Sequence, residues 1–263
     1  ALIRRIDEAR AAGIDVTMAQ YPYTAGSTFL HVVIPPWYHS RGVDGLLRAL
    51  REERGAIKHD LDTRMDWENF SQSVGWEKIF VSSVVSEANQ PCVGKSISQI
   101  AAERGHADPA DAAFDLLVEE QLAVGMISFG LDEADITAIM RHPAVSFITD
   151  GLMSGRPHPR AYATYPRILG RYVREQGVLS LEEAVRKMTS LPARKIRLRN
   201  KGVIAEGYDA DLVVFDPDTV IDKNSYDDPR VHPAGIAHVL VNGVFVVEDA
   251  ALTGARPGRV IRD

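Results

Sequence analysis

The sequence predicts an α/β fold built around strand ends that carry polar loops, with a separate small β region at its end. Three observations predict it. Residues 145–151 form an apolar run that stops at Asp150 and Gly151 and is followed by Gly155, Arg156, Pro157, His158, Pro159 and Arg160. A carboxylate at the end of a buried strand, with His and Arg in the next loop, fits the mouth of an α/β barrel, where reactive groups collect. Residues 1–28 run helix, short strand, then a loop rich in Tyr, Ser and Thr, which is one step of such a barrel. From Gly202 onwards the texture changes to short β-type runs around Asn242-Gly243, the strongest short hairpin signal.

In chain order, residues 1–12 read as an amphipathic helix stopped by Gly13, and 14–18 as a strand leading into the loop from Tyr21 to Thr28. Residues 30–120 form a long excursion of the kind that makes a lid or subdomain, or simply packs. It contains a helix near 43–54, a charged segment, a strand at 78–85, a helix capped by Ser96, and a helix from Pro109 capped by Asp108. Core strands are expected at 125–129 and 145–149, and helices at 133–141, 165–175 and 181–188. The last helix carries a capping-box pattern from Ser180 to Glu183. Strands are expected at 211–215, 238–241 and 244–247. The domain scheme is therefore a barrel helix, strand and substrate loop over 1–29, a lid over 30–120, the last barrel strands and helices over 121–201, and a β tail over 202–263. About three core βα units are legible, against the eight of a closed barrel. Closure would call on further sequence or another chain.

With 263 residues, 45% hydrophobic and 25% charged, the chain is long enough for a sizeable core. The net charge of −6 is interspersed and no basic run tracks a phosphate backbone, so nucleic acid is not an expected partner. No apolar stretch approaches the roughly 20 residues that span a bilayer, so no membrane partner is expected. The single Cys92 excludes an intrachain disulfide and favours a reducing, cytoplasmic location. The chain opens in mid-helix pattern without an initiator Met, as expected of a processed N-terminus or a piece of something longer.

Asp150 is the first candidate for chemistry, as a metal ligand or general base; the simpler alternative is a cap on the following segment. His158 could polarise a carbonyl and Arg160 hold a carboxylate. Equally, Pro157 and Pro159 could fix a turn while Arg160 pairs with a local acid. Tyr21, Tyr23 and Ser27 can donate hydrogen bonds to a substrate, although Tyr23 also suits burial against the lid. His31, His39, His59, His106, His142, His232 and His238 show no mutual metal-ligand spacing and read as surface or core residues. Trp37 after Pro35-Pro36 reads as packing.

Several ordered stretches resemble one family: Tyr21-Pro22-Tyr23-Thr24-Ala25-Gly26-Ser27-Thr28, Thr149-Asp150-Gly151 with Pro157-His158-Pro159-Arg160, Tyr165-Pro166-Arg167-Ile168-Leu169-Gly170-Arg171-Tyr172, Lys187-Met188-Thr189-Ser190-Leu191-Pro192-Ala193 and Gly207-Tyr208-Asp209-Ala210-Asp211-Leu212-Val213-Val214-Phe215. Together they resemble the C-terminal part of an N-acyl-D-amino-acid deacylase (D-aminoacylase), a branch of the amidohydrolase superfamily. The resemblance implies the C-terminal part of a metal-dependent TIM-like (β/α)8 barrel with a lid insertion and a small β-sandwich tail. It implies a zinc-dependent hydrolase that acts on a small-molecule N-acyl amino acid, releasing a D-amino acid and a carboxylate. Asp150 matches the family's proton-shuttling aspartate and occasional metal ligand. Tyr21 and Ser27 match positions near the substrate carboxylate, and Ser128 and Leu131 match the acyl or side-chain pocket. The family's His-x-His pair, its ligand Cys and its two later His ligands precede the Tyr-Pro-Tyr loop, so most zinc ligands lie outside these residues. Two rival expectations stand beside this one: another C–N hydrolase of the superfamily, acting on a dipeptide or cyclic amide, and a non-catalytic C-terminal fragment that needs an N-terminal partner or an oligomer.

Overall fold

The computed structural model describes residues 2–261. Its strands are β1 (Met18–Gln20), β2 (Gly26–Phe29), β3 (Ile79–Ser83), β4 (Gly125–Ser128), β5 (Val145–Phe147), β6 (Leu212–Phe215), β7 (Ile236–Val241), β8 (Val244–Glu248) and β9 (Ala251–Leu252). The chain divides into two compact units. One comprises the residues up to Pro22, Ala134–Asp150 and the residues from Pro159 on; the other comprises Tyr23–Glu133 and Gly151–His158.

In the first unit, β1 and β5 pair in parallel, with Met18 opposite Val145 and Gln20 opposite Phe147. The strand expected at 14–18 starts only at Met18, because the pairing partner begins at Val145 and the preceding residues are exposed or half-buried. Val145 and Phe147 bury against Ile136, Met140, Ile168, Tyr172 and Ala184, which are carried by the helices Glu133–Met140, Ile168–Glu175 and Leu181–Met188. Arg160–Arg167 runs directly into the π-helical stretch Ile168–Glu175, so the helix expected at 165–175 begins earlier. Only half of the expected capping box forms: Ser180 accepts from the Glu183 N–H, while the Glu183 carboxylate pairs with Arg186 at 2.7 Å. The tail is one antiparallel sheet in the order β6-β7-β8-β9. Asn242 and Gly243 turn it with φ of 49° and 76°, the left-handed pair that a type I′ hairpin requires. No residue of its strands is buried, and the second layer of a sandwich is absent among the described residues.

The second unit is a three-stranded antiparallel sheet, β2-β4-β3, covered by helices. The core barrel strand expected at 125–129 is β4, Gly125–Ser128, antiparallel to both neighbours. An apolar run of this length reads the same in either setting, so periodicity could not separate them. The helix Gly42–Glu52 buries Leu46, Leu47 and Leu50 along one face. The charged segment after it is also a helix, Arg54–Thr63, because Ile57 and Leu61 stand four residues apart and both bury. Ser96 and Gln99 close a full capping box on Ile97–Arg104, and Asp108 caps Pro109–Glu119. No helix among the described residues is long and apolar enough to cross a membrane.

Candidate functional site

Parallel pairing puts the C-terminal ends of β1 and β5 side by side, and each strand delivers one polar residue there. Tyr21 follows Gln20 directly, while Asp150 stands three residues beyond Phe147, after Ile148 has donated its N–H to the Gln20 carbonyl at 3.0 Å. Asp150 adopts φ of 46°, a left-handed conformation that Asp tolerates better than most side chains. It caps no helix: the cap position of Arg160–Arg167 belongs to Pro159.

Arg160 joins the two. Its side chain is 1% exposed, and Nη2 lies 2.8 Å from Oδ2 of Asp150, which is itself 57% exposed. Its guanidinium carbon sits 4.3 Å from the centre of the Tyr21 ring. Burial pushes the Tyr21 hydroxyl above its ordinary value; the Arg160 charge opposes this and the Asp150 charge adds to it. The phenol is therefore protonated at neutral pH and able to donate. Chemically the cluster combines a water-accessible carboxylate, a buried cation with a planar fork of donors and a neutral phenol.

The remaining sequence candidates lie in the second unit. Ser27 on β2 is opposite Ile127, whereas Ser128 on β4 is opposite Gly26. Cross-strand partners share a face and neighbours along a strand alternate, so Ser27 and Ser128 point to opposite faces of the sheet. Ser128 is 6% exposed. Leu131 is half-exposed, and its N–H donates to the Thr24 carbonyl at 3.0 Å. His158 is buried, with Nε2 3.0 Å from the Ala25 carbonyl and its ring edge-on to Tyr23 at 5.1 Å. A carbonyl only accepts, so Nε2 carries the proton, and this contact anchors the loop. Tyr23 is likewise buried. The expectation that Arg160 pairs with a local acid is met by Asp150.

Sequence reasoning missed a set of side chains behind the cluster. Arg167 donates from Nε to the Pro22 carbonyl at 2.9 Å and from Nη1 to Asp222 at 2.7 Å, and Asn224 donates to the Pro159 carbonyl at 2.9 Å. Arg167 lies within the family-like stretch Tyr165–Tyr172, but Asp222 and Asn224 sit in a loop with no chemical signature in the sequence. No group of three or more His, Cys, Asp or Glu among the described residues could hold a metal ion.

The model of the amidohydrolase family, Amidohydro_3, matches residues 90–247. An N-acyl-D-glutamate deacylase of Alcaligenes xylosoxydans xylosoxydans is 38% identical over 263 residues, which is 100% of this chain and 44% of that protein. A D-aminoacylase of the same organism is 36% identical over 97% of this chain and 43% of its own length. Among solved structures, an N-acyl-D-glutamate deacylase of Bordetella bronchiseptica, complexed with zinc and a phosphonate mimic of the tetrahedral intermediate, superposes with a TM-score of 0.75. It is 34% identical, with 99% of this chain and 45% of that one covered. The chain thus spans less than half the length of the relatives it matches.

Proposed function

The chain belongs to the amidohydrolase family, and from that premise we propose that it carries the substrate-holding and proton-transfer part of an N-acyl-D-amino-acid deacylase. The observation that carries this reading is the cluster of Tyr21, Asp150 and Arg160 at the C-terminal ends of two paired parallel strands.

In this reading Asp150 accepts a proton from the water that attacks the amide carbon. The same proton then passes to the leaving nitrogen as the C–N bond breaks, yielding a carboxylic acid and an amine. Its exposure supports the role, since the carboxylate must reach both water and substrate. Arg160 holds the amino-acid carboxylate, and the Tyr21 hydroxyl donates beside it. Ser27, Ser128, Leu131 and His158 are assigned to the substrate surroundings by resemblance; of these, His158 has the better claim to a structural role, given its bond to Ala25. The barrel, lid and tail boundaries of the sequence scheme belong to the same reading, as does a cytoplasmic location.

Zinc is present in a relative's structure and enters here as the family's metal. The described residues do not form a cage for it, since Asp150 stands in no group of three metal-binding side chains.

The test is hydrolysis of N-acetyl-D- and N-acetyl-L-amino acids, a dipeptide and a cyclic amide, together with zinc content by elemental analysis. D-selective release of acetate, abolished in Asp150→Asn, supports the reading. Preference for the dipeptide or cyclic amide moves the chain elsewhere in the superfamily, and no turnover with bound zinc overturns the assignment of Asp150.

A further inference from the structure

We propose that Asp222 and Asn224, two residues of the loop between β6 and β7, are positioning residues that hold Tyr21 and Arg160 in register with Asp150. The proposal rests on the reading of Tyr21 and Arg160 given above and extends it to residues that touch neither substrate nor the reacting atoms.

Each of the two loops that carry the cluster has a proline carbonyl next to its functional residue; this loop bonds the Pro159 carbonyl directly, through Asn224, and the Pro22 carbonyl at one remove, through the Asp222–Arg167 pair. Pro22 follows Tyr21; its carbonyl accepts from Arg167 Nε at 2.9 Å and from the Tyr172 hydroxyl at 3.4 Å. Arg167 is in turn fixed by Asp222, at 2.7 Å, in an ion pair whose side chains are 19% and 10% exposed. Pro159 precedes Arg160; its carbonyl accepts from Asn224 Nδ2 at 2.9 Å, and the same amide nitrogen donates to the Pro229 carbonyl at 3.0 Å. Only the NH2 end of an amide can serve two carbonyls, so the orientation of Asn224 is settled by its partners. The cost of that orientation is visible: Asn224 Oδ1 is buried with no hydrogen-bond partner among the described residues. A proline has no N–H, so its carbonyl is the one backbone polar handle at that residue.

The loop is itself rigidly based. Arg174 donates to the Val220 carbonyl at 2.6 Å. Gly170 lies so close that an added Cβ would stand 2.6 Å from that carbonyl oxygen and 3.1 Å from the Ile221 Cα. Asp222 and Asn224 stand two and four residues beyond Val220, so one short segment on this base holds both the Arg167 side chain and the Pro159 carbonyl. A shift of that segment would move the guanidinium off the tyrosine ring, and catalytic constellations tolerate little such movement.

The experiment is NMR of the Arg160 side-chain N–H groups in the ligand-free chain, assigned through Arg160→Lys, with Tyr21→Leu defining the ring-current contribution. In the wild type the Arg160 signals should be shifted upfield by Tyr21 and exchange slowly, given the 4.3 Å stacking distance and the burial of the side chain. Asp222→Ala and Asn224→Ala, checked as folded by thermal melting, should lose the upfield shift and exchange about ten-fold faster, and Asp222→Glu should restore both. Should either alanine variant fail to fold, the isosteric Asp222→Asn and Asn224→Asp are read by the same criteria. Wild-type shift and exchange in folded variants at both positions would overturn the proposal. The signal is read without substrate, so an inactive wild type would sink the deacylase reading while leaving this result standing.

Discussion

A buried arginine and an exposed aspartate share one contact: Arg160, 1% exposed, reaches Asp150, 57% exposed, with 2.8 Å between Nη2 and Oδ2. The asymmetry separates their tasks. The arginine is held by its surroundings, whereas the carboxylate can trade this partner for water or substrate. In the ligand-free state the pair keeps the cation compensated; under the proposed function an incoming carboxylate would replace Asp150 at the fork and release it for proton transfer.

Arg160→Lys tests the fork. Lysine keeps the charge but loses the planar donor set and the stacking on Tyr21. We predict a loss of about 2 kcal/mol in transition-state stabilisation, roughly 30-fold in kcat/KM, carried mainly by KM. Steady-state kinetics with an N-acyl amine lacking the carboxylate provides the control. An equal loss on that substrate would show that Arg160 does not bind the carboxylate.

The backbone at Asp150 separates chemistry from folding. Asparagine tolerates φ of 46° and keeps an acceptor towards Arg160 but removes the charge that compensates this buried cation, so Asp150→Asn should fold with a lowered melting temperature. Alanine in the same conformation should cost about 1 kcal/mol more than asparagine. Both variants should lose about 100-fold or more in turnover. Melting curves and initial rates on the two proteins check this, and an active Asp150→Asn would remove the proton-transfer role.

Glu120 predicts an acid transition in the second unit. Burial raises its pKa, but hydrogen bonds from the Ser86 hydroxyl, Asn89 and the N–H groups of Ser86 and Val85 outweigh burial and bring it to about 2. The folded value lies below the unfolded one, so the stabilisation is complete above the ordinary carboxylate range and is lost as pH falls towards about 2. Glu120→Gln should therefore be less stable by about 2 kcal/mol at pH 7, with the gap closing in acid. Urea midpoints from pH 7 to pH 2.5 measure it; a gap independent of pH would refute the charge-based account.

Lys187 ties the strand that leads to Asp150. It is fully buried, and its ammonium donates to the carbonyls of Met140 and His142 at 2.5 and 2.7 Å. Burial lowers its pKa, against the pull of Glu183 and with the push of Arg186. The folded value is below the unfolded one, so stability rises with pH between the two. Lys187→Met should cost about 2 kcal/mol at pH 7 by stranding two carbonyls, and its deficit should widen towards pH 10. Thermal melts across that range decide it.

Local chemistry wrote much of this protein into its sequence. The caps at Ser96 and Asp108, the hairpin at Asn242-Gly243 and the strand running towards Asp150 are each legible because their cause lies within a few neighbouring residues. Family membership is equally legible, since ordered motifs survive as strings. What the sequence could not state is which strand pairs with which, so β4 reads as a barrel strand and is found antiparallel to β2 and β3. Nor could it state that Asp222 and Asn224 stand behind residues 21 and 160, because a hydrogen bond across 65 positions leaves no local pattern. Tertiary structure decided those points by long-range geometry: pairing fixed which strand ends lie together, and burial fixed which cation had to find its acid.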